Sequence, residues 1–228
     1  MHRLIACVCL AAAGMACNRY HDGAFSTSPS GILVGSGRLI TEERPVNGFT
    51  SIAVSGAVRA VVTVGGTESL QITAEDNIAP VVEAVVAGGR LTIGILPGTP
   101  GISSSFGVEC RISARTIRDI EMSAASRIEV DGIDAPELWI RISGAASFSG
   151  SGSVERLRMD LSGASRFTAP ALRARAADST LSGASVALVR IVDALTVHAS
   201  GASVFEYLGD PAVQTEASGA SVVRRVGS

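Results

Sequence analysis

Residues 157–165 read LRMDLSGAS, residues 177–185 ADSTLSGAS, residues 195–203 LTVHASGAS and residues 213–221 VQTEASGAS. In each, five residues that alternate inward and outward run into a corner of four small ones. Looser copies place SGAAS at 143–147, after LWIRI, and SAAS at 123–126. The first serines fall at 123, 143, 162, 182, 200 and 218, so the intervals are 20, 19, 20, 18 and 18. A period near 19 residues is the signature of a solenoid, in which each repeat is one coil stacked on the last.

The alternating residues superpose. One face carries Leu138, Ile140 and Ile142; Leu157, Met159 and Leu161; Ala177, Ser179 and Leu181; Leu195, Val197 and Ala199; and Val213, Thr215 and Ala217. The other carries Trp139 and Arg141, Arg158 and Asp160, Asp178 and Thr180, Thr196 and His198, Gln214 and Glu216. Period-two alternation puts the first set inside and the second outside. The chain is therefore read as all-β, a parallel β-helix-like solenoid with coils of about 18–20 residues spaced ~4.8 Å apart. At a stacked corner a large side chain would meet its own copy from the next coil. Gly and Ala let the backbone turn there, and Ser can bond to the bend or to the Ser above. Stacking is enough to explain the repeated small residues, without a ligand.

Upstream, FTSIAVSGAVRAVVTVGG and SLQITAED (residues 49–66 and 69–76) alternate as half-buried strands do, and VVEAVVAGGRLTIGI (81–95) reads as two strands around Gly88-Gly89. Residues 78–86 carry the one weak helical pattern. Residues 97–107 read as a loop. These N-terminal strands are expected to form hairpin-like pairs rather than regular coils.

Together, SIAVSGAV, the hairpins around AEDNI, the GGRLTI segment and the tandem SGAS corners resemble the putative auto-transporter adhesin head domain, the GIN domain family, over Gly37 to Val226. The resemblance implies a right-handed β-helix-like fold in exported bacterial proteins that often carry a lipoprotein signal. It carries over no catalytic residue.

The first 16 residues read as a signal peptide: Arg3 as positive start, Leu4–Ala13 as apolar stretch, Gly14-Met15-Ala16 as small-x-small cleavage site. GMAC resembles a lipobox with Gly14 where Leu is usual, so Cys17 is either lipidated or the first residue of a simply secreted chain. Residues 17–36, polar and rich in Gly and Ser, read as a tether, and 37–228 as the domain. Localisation is expected to be exported, in the outer membrane or periplasm and lipid-anchored. Cys110, in VECRI beside inward Val108 and Ile112, reads as a buried inert thiol.

The residues offer little chemistry. All 19 basic residues are Arg, which excludes P-loop, Schiff-base and pyridoxal lysines, and the net charge of −2 gives no nucleic-acid signature. His198 has Thr196, Ser200, Thr180 and Glu216 around it, a weak constellation for acyl transfer. No His/Cys spacing supplies zinc, and Glu75, Asp76 and Asp119 belong to no calcium-loop motif. Along the outer face, Arg141 is expected to pair with Asp160, Arg158 with Asp178, and His198 with Glu216. Such alternating charges suit a solvated face better than the converging acids of a glycan-cleaving site. Trp139, the only Trp, stands outward beside Arg141 and Arg158, and these three are the candidate contact for a glycan or protein at the cell surface. The sequence thus points to a non-catalytic binding or adhesion module without cofactor or metal. A polysaccharide-acting β-helix enzyme and a structural or assembly protein of the envelope are the alternatives.

Overall fold

The computed structural model describes residues 31–227. The expected signal peptide, Cys17 and most of the expected tether lie outside the described residues.

Seventeen strands follow in chain order among the described residues. The first nine are β1 (Leu33–Val34), β2 (Leu39–Arg44), β3 (Ser51–Val54), β4 (Val58–Val64), β5 (Ser69–Glu75), β6 (Val82–Ala87), β7 (Arg90–Ile95), β8 (Ile102–Ser103) and β9 (Val108–Ala114). The repeat region supplies β10 (Asp119–Met122), β11 (Arg127–Ile142), β12 (Ser147–Leu161), β13 (Arg166–Leu181), β14 (Val186–Ala199), β15 (Val204–Leu208), β16 (Ala212–Ala217) and β17 (Val222–Gly227).

The repeats form a parallel solenoid. One face stacks β7, β3, β10, the second halves of β11, β12, β13 and β14, and β16, all parallel. The second face stacks β9, β4, the first halves of β11–β14, β15 and β17, again all parallel. The small-residue corners join the two. Leu161 lies between Ile142 and Leu181, as the period requires. The inward residues of the coils from β11 to β14 are buried, and a column of Phe148, Phe167, Ala187 and Phe205 fills the second face from inside. Phe148 and Phe167 stack with centroids 4.9 Å apart. Fully burying each such side chain contributes about 1.5–3 kcal/mol, which replaces any disulfide framework.

The corner glycine answers to two constraints at once. Gly144, Gly163, Gly183, Gly201 and Gly219 all have φ between 69 and 76°. A Cβ on any of them would also lie 2.6–2.8 Å from the carbonyl oxygen of the corner below. That approach lets each corner bond to the last, as in Ala184 N–H to Gly163 O at 2.8 Å. The first Ser of each corner donates to a carbonyl one coil down, for example Ser200 Oγ to Leu181 O at 3.3 Å. The second Ser is buried and closes the turn at two corners, where Ser185 Oγ donates to Ser182 O and Ser203 Oγ to Ser200 O, both at 3.0 Å, whereas Ser126 and Ser165 Oγ are buried without a partner.

The N-terminal part departs from the hairpin-like expectation in one way. Ser55-Gly56-Ala57, between β3 and β4, is a further corner of the same stack, since β3 lies under β10 and β4 under β11. Of the strands that follow, β7 and β9 extend the two stacks parallel to β3 and β4, while β5 and β6 run antiparallel and close that end. There β6 and β7 form an antiparallel hairpin around Gly88-Gly89, and β5 pairs antiparallel with both β2 and β9. The weak helical pattern at 78–86 resolves into a short 3-10 turn, Ala79–Val81, followed by β6. Pro80 and β-branched Val82, Val85 and Val86 favour that outcome over an α-helix. Cys110 is fully buried in β9, and burial pushes its thiol up to about 12.

Leu33 and Val34, within the stretch expected to be tether, already pair with β8, and Leu33 is buried. Glu75, Asp76 and Asn77 fasten this entry. Glu75 accepts from Gly37 N–H at 2.8 Å and Ser104 Oγ at 2.5 Å, and Asn77 donates to Val34 O at 2.7 Å.

Candidate functional site

In the second half of β11, alternation sends Leu138, Ile140 and Ile142 inward and leaves Glu137, Trp139 and Arg141 outside. The parallel register sets Trp139 over Asp119 and under Arg158, and Arg141 over Glu121 and under Asp160. Trp139 is 38% exposed, and the Arg141 guanidinium lies 4.2 Å from its ring centroid. That guanidinium is held by Asp119 at 3.0 and 3.1 Å and by Glu121 at 3.4 Å. Arg90 completes the cluster, 2.8 Å from Glu121 and 3.8 Å from Asp119. From the coil above, Asp160 accepts the indole N–H at 3.1 Å. The ring is thus fixed on one side by a cation and at its edge by a carboxylate, an arrangement worth about 0.5–1 kcal/mol in cation–π attraction at such exposure.

All three expected contact residues share this face, but their partners differ from the expectation. Arg141 reaches down a coil, where two carboxylates wait, rather than up to Asp160, which the indole occupies. Arg158 turns to Glu137 at 3.4 Å instead of Asp178. His198 and Glu216 pair as expected, at 3.0 Å. The acids that complete the site had a readable signal. Counting four residues back from each corner serine gives Asp119, Trp139, Arg158, Asp178, Thr196 and Gln214 as one vertical column, and counting two back gives Glu121, Arg141, Asp160, Thr180, His198 and Glu216 as the next. Arg90 had none, because β7 enters the stack outside the period.

Three other clusters offer less. Ser200 gives its hydroxyl to Leu181 O rather than to His198, so no nucleophile–base couple forms. An open depression of about 610 Å³ over β4, β5 and β9 is lined by Arg59, Gln71, Glu109 and Arg111 among others, with Arg111 bonded to Glu109 at 3.0 Å. Arg175 stands between Asp193 and Glu155, and the hydrogen bond to Asp193 chiefly raises its pKa. Among the described residues no three His, Cys, Asp or Glu side chains converge as metal ligands. Glu75, Asp76 and Asp119 do not gather: the first two fasten the N-terminal entry and the third holds Arg141. What the Trp139 face offers is a rigid aromatic surface rimmed by hydrogen-bonding groups. That chemistry suits the binding of planar or apolar faces.

Comparison with known proteins agrees with the fold. Residues 48–211 match the family model described as putative auto-transporter adhesin, head GIN domain. Three solved structures share the architecture. A putative adhesin from Bacteroides fragilis NCTC 9343 superposes with a TM-score of 0.70 at 16% identity, over 85% of this chain and 99% of that one. A putative adhesin from Parabacteroides merdae ATCC 43184 gives 0.55 at 16% identity, over 86% and 99%. A chain from Parabacteroides distasonis ATCC 8503 described as a putative lipid binding protein gives 0.55 at 14% identity, over 86% and 99%. At such identities the likeness is one of fold. No curated protein matches the sequence.

Proposed function

We propose, since the chain belongs to the head GIN domain family of putative auto-transporter adhesins, that it is a non-catalytic, exported adhesion-type module held at the cell envelope by a lipid on Cys17. Its ligand, a glycan or a protein surface, meets the outer face centred on Trp139. The observation that supports this most is the clamped indole. A ring held by Arg141 and Asp160 spends little entropy on binding, and Asp160 and Arg158 stand beside it to bond to hydroxyls. Sugar rings and aromatic side chains both stack on such a surface.

Binding of the purified protein to an array of immobilised bacterial and host glycans tests the reading. Wild type is expected to bind a subset without releasing reducing ends, and Trp139→Ala to lose at least tenfold in affinity. Equal binding by the variant would move the site elsewhere, and release of reducing ends would favour the enzyme alternative. The anchor is tested separately. Cys17→Ser is expected to block lipoprotein processing, and a wild-type chain found soluble and unmodified would remove the anchor.

A further inference from the structure

The two ends of the solenoid differ. At the N-terminal end, β2 and β6 run antiparallel to their neighbours and turn the stack aside. At the other end, no described residue lies over β16 or β17. Val213, Thr215 and Ala217 continue the inward columns of Leu195, Val197 and Ala199, yet all three are exposed while those beneath are buried. Val213, Val222 and Val226 are 37, 42 and 45% exposed. Two six-residue strand edges and the section of core between them are left open together, an arrangement that invites pairing. The charges do not blunt it. Arg224 is tied to Glu206 at 2.5 Å and Arg225 to Asp210 at 2.9 Å, both acids of the same coil or the one beneath.

We propose that this end is a self-association surface, on which a second copy of the chain docks end to end about a two-fold axis through the corner Ser218–Ser221. Such an axis exchanges the two faces. It sets β16 of one copy antiparallel to β17 of the other, and β17 to β16, so the contact closes as a dimer. Strand lengths match, at six residues each. Keeping outward residues opposite outward ones places Gln214 across from the second copy's Arg224 and Glu216 across from its Val222. Glu216 and Arg224 then become diagonal neighbours of opposite charge. Strands about 20 Å long on two faces enclose roughly 400–500 Å² per copy, about 800–1,000 Å² in all. That is the lower margin of specific interfaces, so the dimer forms in the micromolar range.

Sedimentation velocity from about 1 to about 200 µM tests this, with a monomer-to-dimer transition expected. Thr215→Asp puts a carboxylate in the joint and is expected to weaken it more than about tenfold, with an unchanged melt measured where the wild type is monomeric. Glu216→Arg, on a side chain 81% exposed, is the gentler variant and decides the matter should the first disturb folding. Mild oxidation of Gln214→Cys with Arg224→Cys is expected to trap a dimer that wild type and Val85→Cys, at the opposite end, do not give. A monomer throughout, a dimer indifferent to both substitutions, or cross-linking only through Val85→Cys would overturn the proposal.

Discussion

Substituting Gly183 by Ala separates stacking from turning at the corner. The residue has φ +72°, a conformation that costs an L side chain about 1–2 kcal/mol. A Cβ there would also stand 2.6 Å from Gly163 O and 3.1 Å from Gly163 N. Ordinary contact needs roughly 3.4 Å, so the coils must part locally by about 0.8 Å. The bonds on either side, Ala184 N–H to Gly163 O and Ala202 N–H to Gly183 O, both 2.8 Å, cannot survive that shift. At about 0.5–1.5 kcal/mol each, they bring the expected loss to about 3 kcal/mol. Gly98→Ala is the control: φ is +83° but nothing lies within 4 Å, so about 1 kcal/mol is expected. Ala124 supplies the opposite test. It occupies the corner-glycine position of the lowest regular coil at φ 58°, and no described backbone bond joins its corner turn to that of Ser55-Gly56-Ala57. Ala124→Gly is therefore expected to stabilise by up to about 1 kcal/mol. Urea midpoints followed by far-UV circular dichroism decide the series. Equal losses from Gly183→Ala and Gly98→Ala would refute the stacking argument and leave only backbone conformation.

Leu161→Asp, a buried carboxylate between Ile142 and Leu181, is expected to cost several kcal/mol or unfold the coil, whereas Asp160→Leu loses only the exposed indole bond, within about 1 kcal/mol; thermal melts compare them. Ser179 Oγ is buried between Met159 and Val197 without a partner, so Ser179→Ala is expected to raise stability by about 1 kcal/mol, and a loss would mean the hydroxyl is satisfied. Cys110 is expected to resist alkylation at pH 8 until the protein unfolds. Its folded thiol titrates near 12 against an ordinary 9.0, so between those values the unfolded chain has given up the proton that the folded one keeps. Stability is then full below pH 9 and falls as pH rises toward 12, and a flat alkaline limb would contradict the burial.

What could be read in advance was what repeats. Leu138 to Ala199 alternate against a fixed corner, so both their faces and their vertical neighbours follow from counting. Ser55-Gly56-Ala57 belongs to the same stack but escaped, because the capping strands between it and Ser123 remove the period. Val213, Thr215 and Ala217 had the right register and the wrong exposure, since burial needs a coil above as well as below. For Arg141 and Arg158 the face was legible and the partner was not. A long side chain reaches either neighbouring coil, and only the placement of Asp119, Glu121 and Glu137 decides the direction.

Trp139 is the chain's only tryptophan and lies at the centre of the proposed contact, so its fluorescence reports directly on the central claim. The purified protein would be titrated with the oligosaccharides retained on the array, and emission and reducing ends followed together. A saturable change in emission is predicted, with no reducing ends beyond those added with the titrant, and no change with oligosaccharides that the array does not retain. Binding that leaves the emission unchanged, or reducing ends in excess of those added, would contradict it.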